Sequence, residues 1–146
     1  MIESPVYKLH KLVYTLDQYA DKLLKVALGV SYKRVLFLAV LRHHGLLTQH
    51  HLATLLGYSD AAVSFMLSEL KKDGYVVITP SPEHGRKKIV KLTNAGIRMS
   101  EQASRILDKK FASLGEIAEV DIDEYERTTE QIYQALTAER TKNDKQ

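Results

Sequence analysis

The chain of 146 residues is 45% apolar, enough for one domain with a real hydrophobic core. Because it contains no cysteine, disulfides, thiolate metal sites and thiol redox sensing are excluded. It has neither an apolar run of about 18 residues nor a basic-then-apolar leader, so we expect a cytoplasmic protein without a membrane partner.

The net charge of +3 hides an uneven distribution of basic side chains. Residues 31–98 carry ten Lys or Arg against four Asp or Glu, whereas the other residues carry eleven basic and fourteen acidic side chains. A positive excess concentrated in one region is what binding to phosphate groups requires. A solvated surface with an ordinary local excess of charge is the alternative interpretation.

The first predicted element is a long helix from about Pro5 to Leu28, with the proline near its first turn. Its apolar residues recur at alternating spacings of four and three, which is a heptad pattern: Ile2, Val6, Leu9, Val13, Leu16, Ala20, Leu23 and Ala27. A seam of this length on a terminal helix predicts pairing with a second copy in a homodimer. Packing within the monomer is the alternative.

A second helix is predicted from a cap at Ser31 to about His44, and Gly45 ends it. This helix is apolar on nearly all sides, which indicates that it lies at the centre of the domain.

The segment from Thr48 to Gly74 contains two short helical patterns separated by Gly57, with Ser59 as the cap of the second. Their inward-facing residues are Leu52, Ala53 and Leu56 in the first and Val63, Met66, Leu67 and Leu70 in the second. The pattern predicts a helix-turn-helix. A helical hairpin that only packs is the alternative.

The outer face of the second of these helices has mostly small or hydrogen-bonding side chains: Asp60, Ala61, Ala62, Ser64, Phe65 and Ser68. Such a face allows a recognition helix to approach base edges in a major groove of DNA.

Two β-branched runs follow, from Tyr75 to Thr79 and from Lys87 to Leu92, and a Pro- and Gly-containing loop joins them. A hairpin directly after a recognition helix is a wing, and its tip carries His84, Arg86, Lys87 and Lys88. An arginine on an extended loop can enter a narrow minor groove. The alternative for Arg86 is a solvated turn residue.

Thr93 is predicted to cap the next helix, which runs to about Leu114 with Gly115 at its boundary, and a last helix begins near Asp121. The predicted fold class is therefore mainly α with a small β-hairpin wing, that is, a winged helix-turn-helix with long terminal helices. We expect a single domain over residues 1–146. Residues 31–98 would form the DNA-binding lobe, and residues 1–30 and 99–146 the dimerisation helices.

Three local signatures resemble the MarR family of bacterial winged helix-turn-helix regulators: LATLLGYSDAAVSFMLSELKKDGYV, the wing SPEHGRKKIVKLT, and LTNAG at the start of the next helix. The likeness covers nearly the whole chain. Of the three signatures, LTxxG after a basic wing distinguishes this family best from other winged-helix regulators. The resemblance implies a homodimer that binds double-stranded DNA at a pseudo-palindromic operator, usually as a repressor that a small effector releases.

The resemblance places Ser59, Ala61, Ala62, Ser64 and Phe65 in the major groove and Arg86 in the minor groove. With flanking residues and the lysines expected at phosphates, the full predicted DNA-binding set is Ser59, Asp60, Ala61, Ala62, Ser64, Phe65, Ser68, Lys71, Lys72, Arg86, Lys87 and Lys88. Phe65 and His84 depart from the family, which commonly has a basic residue at the first position and an aspartate that orients the wing arginine at the second. Phe65 is therefore expected either to touch a thymine methyl group or to make no base contact, and pH-sensitive wing binding through His84 is a hypothesis.

Other clusters are given structural explanations. The histidines His43, His44, His50 and His51 are interpreted as exposed helix-end residues rather than a zinc site, and the acidic residues after Asp121 as helix-start and surface acids rather than a calcium site. We predict no metal and no cofactor, and the absence of a P-loop, GxSxG or HExxH motif predicts no enzyme activity.

Tyrosines on the first two helices are candidates for binding a small aromatic effector, although core or interface packing is the more common explanation: Tyr7, Tyr14, Tyr19 and Tyr32. The main alternative function is a winged-helix protein-interaction module that does not bind DNA.

Overall fold

A computed structural model describes residues 2–144 of the chain. The elements are α1 (Pro5–Leu28), α2 (Tyr32–His44), β1 (Leu47–Thr48), α3 (Gln49–Leu56), α4 (Asp60–Lys72), β2 (Val76–Pro80), β3 (Lys88–Leu92), α5 (Asn94–Ala118) and α6 (Ile122–Asn143). The order and type of the predicted helices are confirmed, as is the fold class. Among the described helices, none combines the length and apolar character needed to cross a membrane.

Each of the six helices in the described residues 2–144 begins at a side chain that accepts a backbone N–H, which satisfies a donor that the first turn leaves unpaired. These caps are Ser4, Ser31, Thr48, Ser59, Thr93 and Asp121. The caps predicted at Ser31, Ser59, Thr93 and Asp121 are confirmed. Those at Ser4 and Thr48 were not predicted.

The chain falls into two compact units, Met1–Ile106 and Leu107–Gln146. In the first unit α2 lies at the centre, as predicted, because Phe37, Leu38 and Leu41 are almost fully buried. The core packed with them comes from α3, α4 and the sheet: Leu52, Ala53, Val63, Leu67, Leu70, Val76, Val90 and Leu92, together with Leu47 of β1. All inward-facing positions of the predicted helix-turn-helix except the half-buried Leu56 and Met66 are therefore buried.

The sheet is antiparallel and has the strand order β1-β3-β2. The predicted hairpin is confirmed, with Val76 opposite Leu92 and Pro80 opposite Lys88. A third strand, β1, pairs Leu47 with Val90 on the other side of β3. This strand was not predicted because two residues are too short for an alternating pattern.

In the second unit, the predicted helix boundary at Gly115 is wrong, because α5 continues to Ala118. Gly115 is buried inside the helix, and a Cβ atom there would overlap the side chain of Ile122. The glycine is therefore required by close packing against the start of α6 rather than by a turn. The rings of Phe111 and Tyr125 pack beside this contact, with centroids 5.8 Å apart.

Candidate nucleic-acid interface

The turn of the helix-turn-helix is held in place by both backbone and aromatic contacts. Gly57 has a φ of 69°, in the left-handed region that glycine adopts without steric cost. Tyr58 then stacks on the buried Phe37 with ring centroids 5.8 Å apart, and the Lys33 ammonium lies 4.4 Å from the centre of the Tyr58 ring. The angle between α3 and α4 is therefore supported by the core and does not depend on the turn alone.

The outer face of α4 is exposed at nearly all of the positions predicted for base contact. Ala61, Ser64, Phe65 and Ser68 are exposed, and Ala62 is half-buried. The core residues of α4 project from the opposite side of the helix. This helix thus presents a row of small and hydroxyl side chains, interrupted by one phenyl ring.

The C-terminal half of α4 is fixed by an arginine fork that sequence analysis missed. Nη1 of Arg34 on α2 lies 2.6 Å from Asp73, and Nη2 lies 3.2 Å from Glu69. Both carboxylates are paired with Arg34 rather than with the neighbouring Lys71 and Lys72. The ammonium groups of these two lysines are therefore available to bind an external anion. In the part of the chain that the structure describes, no ion pair involves Lys71, Lys72, Arg86, Lys87 or Lys88. The residue pattern gave no signal for the fork, since its partners are 35 and 39 positions apart in sequence.

A groove of about 390 Å³ separates α4 from the wing, which we define as β2, β3 and the connecting loop 81–87. Ser64, Ser68 and Lys71 line its α4 side, and Arg86 and Lys88 are on its wing side. The structure therefore brings five of the predicted DNA-binding residues to one open, basic groove. Gln49, at the start of α3, also lines the groove and was not predicted.

A second hollow, of about 460 Å³, shares Gln49, Arg86 and Lys88 with this groove. Its lining includes Asp60 from α4 and His50 from α3, whose Nδ1 atom is 3.1 Å from Asp60 Oδ1. Arg86, Lys87 and Lys88 line the same hollow. Asp60 is the one acidic residue in the predicted set, and a histidine that sequence analysis assigned only to the exposed surface lies against it.

The wing loop is shaped by backbone contacts with Ser81. The Ser81 N–H donates to the Lys87 carbonyl at 2.7 Å, and the Ser81 hydroxyl accepts the His84 N–H at 3.4 Å. The Lys87 N–H donates to the His84 carbonyl at 2.8 Å. Within the described residues, the His84 side chain forms no hydrogen bond to Arg86, so residue 84 shapes the loop through its backbone.

The wing is attached to the end of α4 through Thr93. Its hydroxyl donates to the Gly74 carbonyl at 2.6 Å and accepts the Gly96 N–H at 3.1 Å. A Cβ atom on Gly96 would overlap the Tyr75 carbonyl oxygen. The LTNAG signature therefore has a physical basis, since threonine joins two elements and only glycine allows this approach.

Outside this interface, two groups with shifted pKa values lie at the junction of α1 and α2. Lys25, whose Nζ is 2.6 Å from Asp21, and the Tyr32 N–H at 3.0 Å together lower the pKa of Asp21. Burial, with the charge of Asp17, raises the pKa of Tyr32. His43 and His44 pack edge to face, 4.9 Å apart, and the described residues contain no cluster of three groups suited to holding a metal ion.

The order of these elements, with a basic groove between helix and wing, defines the winged helix-turn-helix class. Residues 28–87 match the MarR family. The predicted resemblance is confirmed: the chain has the MarR-type winged helix-turn-helix fold. None of the curated proteins matches its sequence.

Similar solved structures cover nearly all of the chain. A cysteine-to-serine mutant of MarR from E. coli is 22% identical, with a TM-score of 0.78 over 93% of this chain and 98% of MarR. The same mutant complexed with operator DNA is 24% identical, with a TM-score of 0.69 over 90% and 95%. The MepR–DNA complex from S. aureus is 22% identical, with a TM-score of 0.74 over 92% and 97%.

Proposed function

We propose that this protein is a sequence-specific, double-stranded-DNA-binding transcriptional regulator that acts as a homodimer in the cytoplasm. The observation that carries the proposal is the open groove between α4 and the wing, where Ser64, Ser68, Lys71, Arg86 and Lys88 converge. Two relatives of the same fold are bound to DNA in their solved structures, one of them to its operator.

Sequence specificity and affinity for DNA would come from different residues of α4 and the wing. The α4 face, from Ser59 and Asp60 to Ser68, would lie in the major groove and read base edges, while Arg86 would enter the adjacent minor groove. The four lysines Lys71, Lys72, Lys87 and Lys88 would contact phosphates and supply most of the salt-dependent affinity. Since none of them has a carboxylate partner among the described residues, no internal ion pair must break when DNA binds.

Dimerisation would use the exposed apolar faces of the long helices. On α1, Val6 is 79% exposed and Leu9 50% exposed, although both belong to the heptad seam. On α6, Ile132, Tyr133 and Leu136 are exposed by more than half. A homodimer would cover these side chains and present two α4 helices roughly 34 Å apart, one helical turn of DNA, on a pseudo-palindromic operator.

The regulator would act as a repressor that a small, aromatic effector releases. An effector that binds one arrangement of the dimer better than another shifts the population toward it. If the favoured arrangement spaces the α4 helices differently from the groove repeat, operator affinity falls. The tyrosines of α1 and α2 stay candidates for this binding, and we assign none of them to it.

Selection of bound duplexes from a random pool by the full-length protein tests the proposal. The account predicts recovered sequences with two inverted half-sites whose centres are about 10 base pairs apart. Failure to bind any duplex in low-salt buffer would overturn it and would favour the alternative, in which the basic face meets an acidic protein partner.

A further inference from the structure

Phe65 is a phenyl ring that the protein leaves 68% exposed in the middle of the outer face of α4. Ala61, Phe65, Ser68 and Lys72 follow one another at helical spacing, on the side of α4 opposite its core residues. The adjacent side chains are too small to cover the ring, and Glu69, one turn further on, is bound by Arg34. Nothing within the described lobe therefore shields this apolar surface from water.

The surroundings of Phe65 indicate what would cover it. The neighbouring hydroxyls of Ser64 and Ser68 can match the hydrogen-bonding groups on base edges, whereas a phenyl ring cannot. In the major groove, the apolar group at a base edge is the methyl on C5 of a pyrimidine, which thymine always carries and cytosine carries after methylation. With α4 in the major groove, a ring on the outermost line of the helix would reach the base edges.

We propose that Phe65 is a specificity-determining residue that contacts a pyrimidine C5 methyl group in each half-site. The inference rests on the proposed DNA-binding function and names the base chemistry that it recognises. The ring is presented on a rigid element, because the Ser59 hydroxyl caps α4 at its start and the Arg34 fork holds its end. A methyl group can therefore be distinguished from a hydrogen atom at one position.

The test uses the duplex that the full-length protein selects from a random pool, with each thymidine replaced in turn by deoxyuridine. The replacement removes only the methyl group. We expect one position in each half-site where wild-type affinity falls about three- to tenfold, the effect of removing one buried methyl group. At this position the Phe65→Ala variant should bind the thymidine and deoxyuridine duplexes equally.

A second pair of duplexes, with cytosine or 5-methylcytosine at the same position, separates the two sources of the methyl group. Tighter binding to 5-methylcytosine by wild type, abolished in Phe65→Ala, supports recognition of the methyl group itself. If wild type binds the cytosine and 5-methylcytosine duplexes equally but loses affinity when thymidine is replaced by deoxyuridine, the result supports recognition of thymine alone.

Leu55→Ala is the matched control, because it also removes a partly exposed apolar side chain from the helix-turn-helix, and it should keep the full methyl effect. Circular dichroism melting checks that both variants fold. The inference is overturned if Phe65→Ala discriminates thymidine from deoxyuridine as strongly as wild type while still binding DNA. If wild type binds no duplex at low salt, the proposed function fails together with the inference.

Discussion

The winged lobe and the last helix of this chain differ in how they use apolar residues. In the lobe, α2 buries Val35, Phe37, Leu38 and Leu41, and the surrounding helices and sheet complete the core. In contrast, α6 has 22 residues and none of them is buried, although Ile132, Tyr133 and Leu136 are apolar. The lobe is thus stabilised by its own contacts, whereas α6 exposes the apolar side chains that the proposed homodimer would cover.

The largest effect should come from the centre of the lobe. Phe37→Ala removes a fully buried ring and its stacking on Tyr58, and we expect the free energy of unfolding to fall by about 3–5 kcal/mol. Urea denaturation measures this decrease. Tyr133→Ala, on α6, is the contrasting variant: at a concentration where the protein is monomeric it should change stability by less than about 0.5 kcal/mol. If the free energy of unfolding fell equally in Phe37→Ala and Tyr133→Ala, the contrast between the self-stabilised lobe and the exposed α6 would be wrong.

A charge on the exposed face of α6 should weaken dimerisation rather than folding. In Leu136→Glu, an unpaired carboxylate would be buried on association, and we expect the dimer dissociation constant to rise about 30-fold or more. Sedimentation equilibrium measures this constant. Leu55→Glu, at a partly exposed leucine of α3, is the control and should leave it unchanged. A Leu136→Glu dimer as tight as wild type would exclude this face from the interface.

Within the lobe, Arg86→Ala tests the wing. Removal of a minor-groove contact should cost about 1–3 kcal/mol of specific operator binding, measured by fluorescence anisotropy. Arg105→Ala removes an exposed arginine from α5, far along the chain from the wing, and serves as the charge-matched control. If both variants bind the operator equally well, the wing arginine makes no specific contact.

Glu119 offers a smaller, stabilising change in the loop between α5 and α6. Its φ of 55° places a non-glycine residue in the left-handed region, and its N–H donates to the Glu116 carbonyl at the helix end. Glu119→Gly should relieve this strain and raise the free energy of unfolding by up to about 1 kcal/mol. A lower thermal midpoint in this variant would contradict the explanation.

The smallest effect concerns pH at the junction of α1 and α2. Because folding lowers the pKa of Asp21, the unfolded chain binds the proton more tightly, and the carboxylate contributes stability above its unfolded pKa. That contribution disappears as the pH falls through the folded pKa. Asp21→Asn should therefore be less stable than wild type at neutral pH and converge with it in acid, as measured by urea denaturation across pH. A gap that persists at acid pH would point to another cause.

Sequence reasoning found the elements whose signals are local. Helical periodicity and the caps at Ser31 and Ser59 placed α2 and α4, and the β-branched runs placed the hairpin to within one residue. It missed what depends on distant contacts: the Arg34 fork to Glu69 and Asp73, and the placement of Gln49 in the groove. Gly115 was assigned to a boundary because glycine in sequence does not distinguish a turn from close packing.

The predicted DNA-binding residues show the same contrast between local signals and contacts that depend on distant residues. Periodicity identified the exposed side of α4, and the structure adds that Ser64, Ser68 and Lys71 face the wing across one groove. The pairing of His50 with Asp60 had no sequence signal, since ten residues separate them on different helices. Which of these residues touch DNA stays a prediction.

The salt dependence of duplex binding tests the central claim most directly. In wild type, the logarithm of affinity for a random duplex should fall linearly with the logarithm of salt concentration. Changing Lys71, Lys72, Lys87 and Lys88 together to alanine should make that slope shallower, by roughly 0.9 for each phosphate that the variant no longer neutralises. A chain in which Lys109 and Lys110 of α5 are changed to alanine should keep the wild-type slope. If the fourfold variant retains both the affinity and the salt slope of wild type, the groove between α4 and the wing is not where this protein meets DNA.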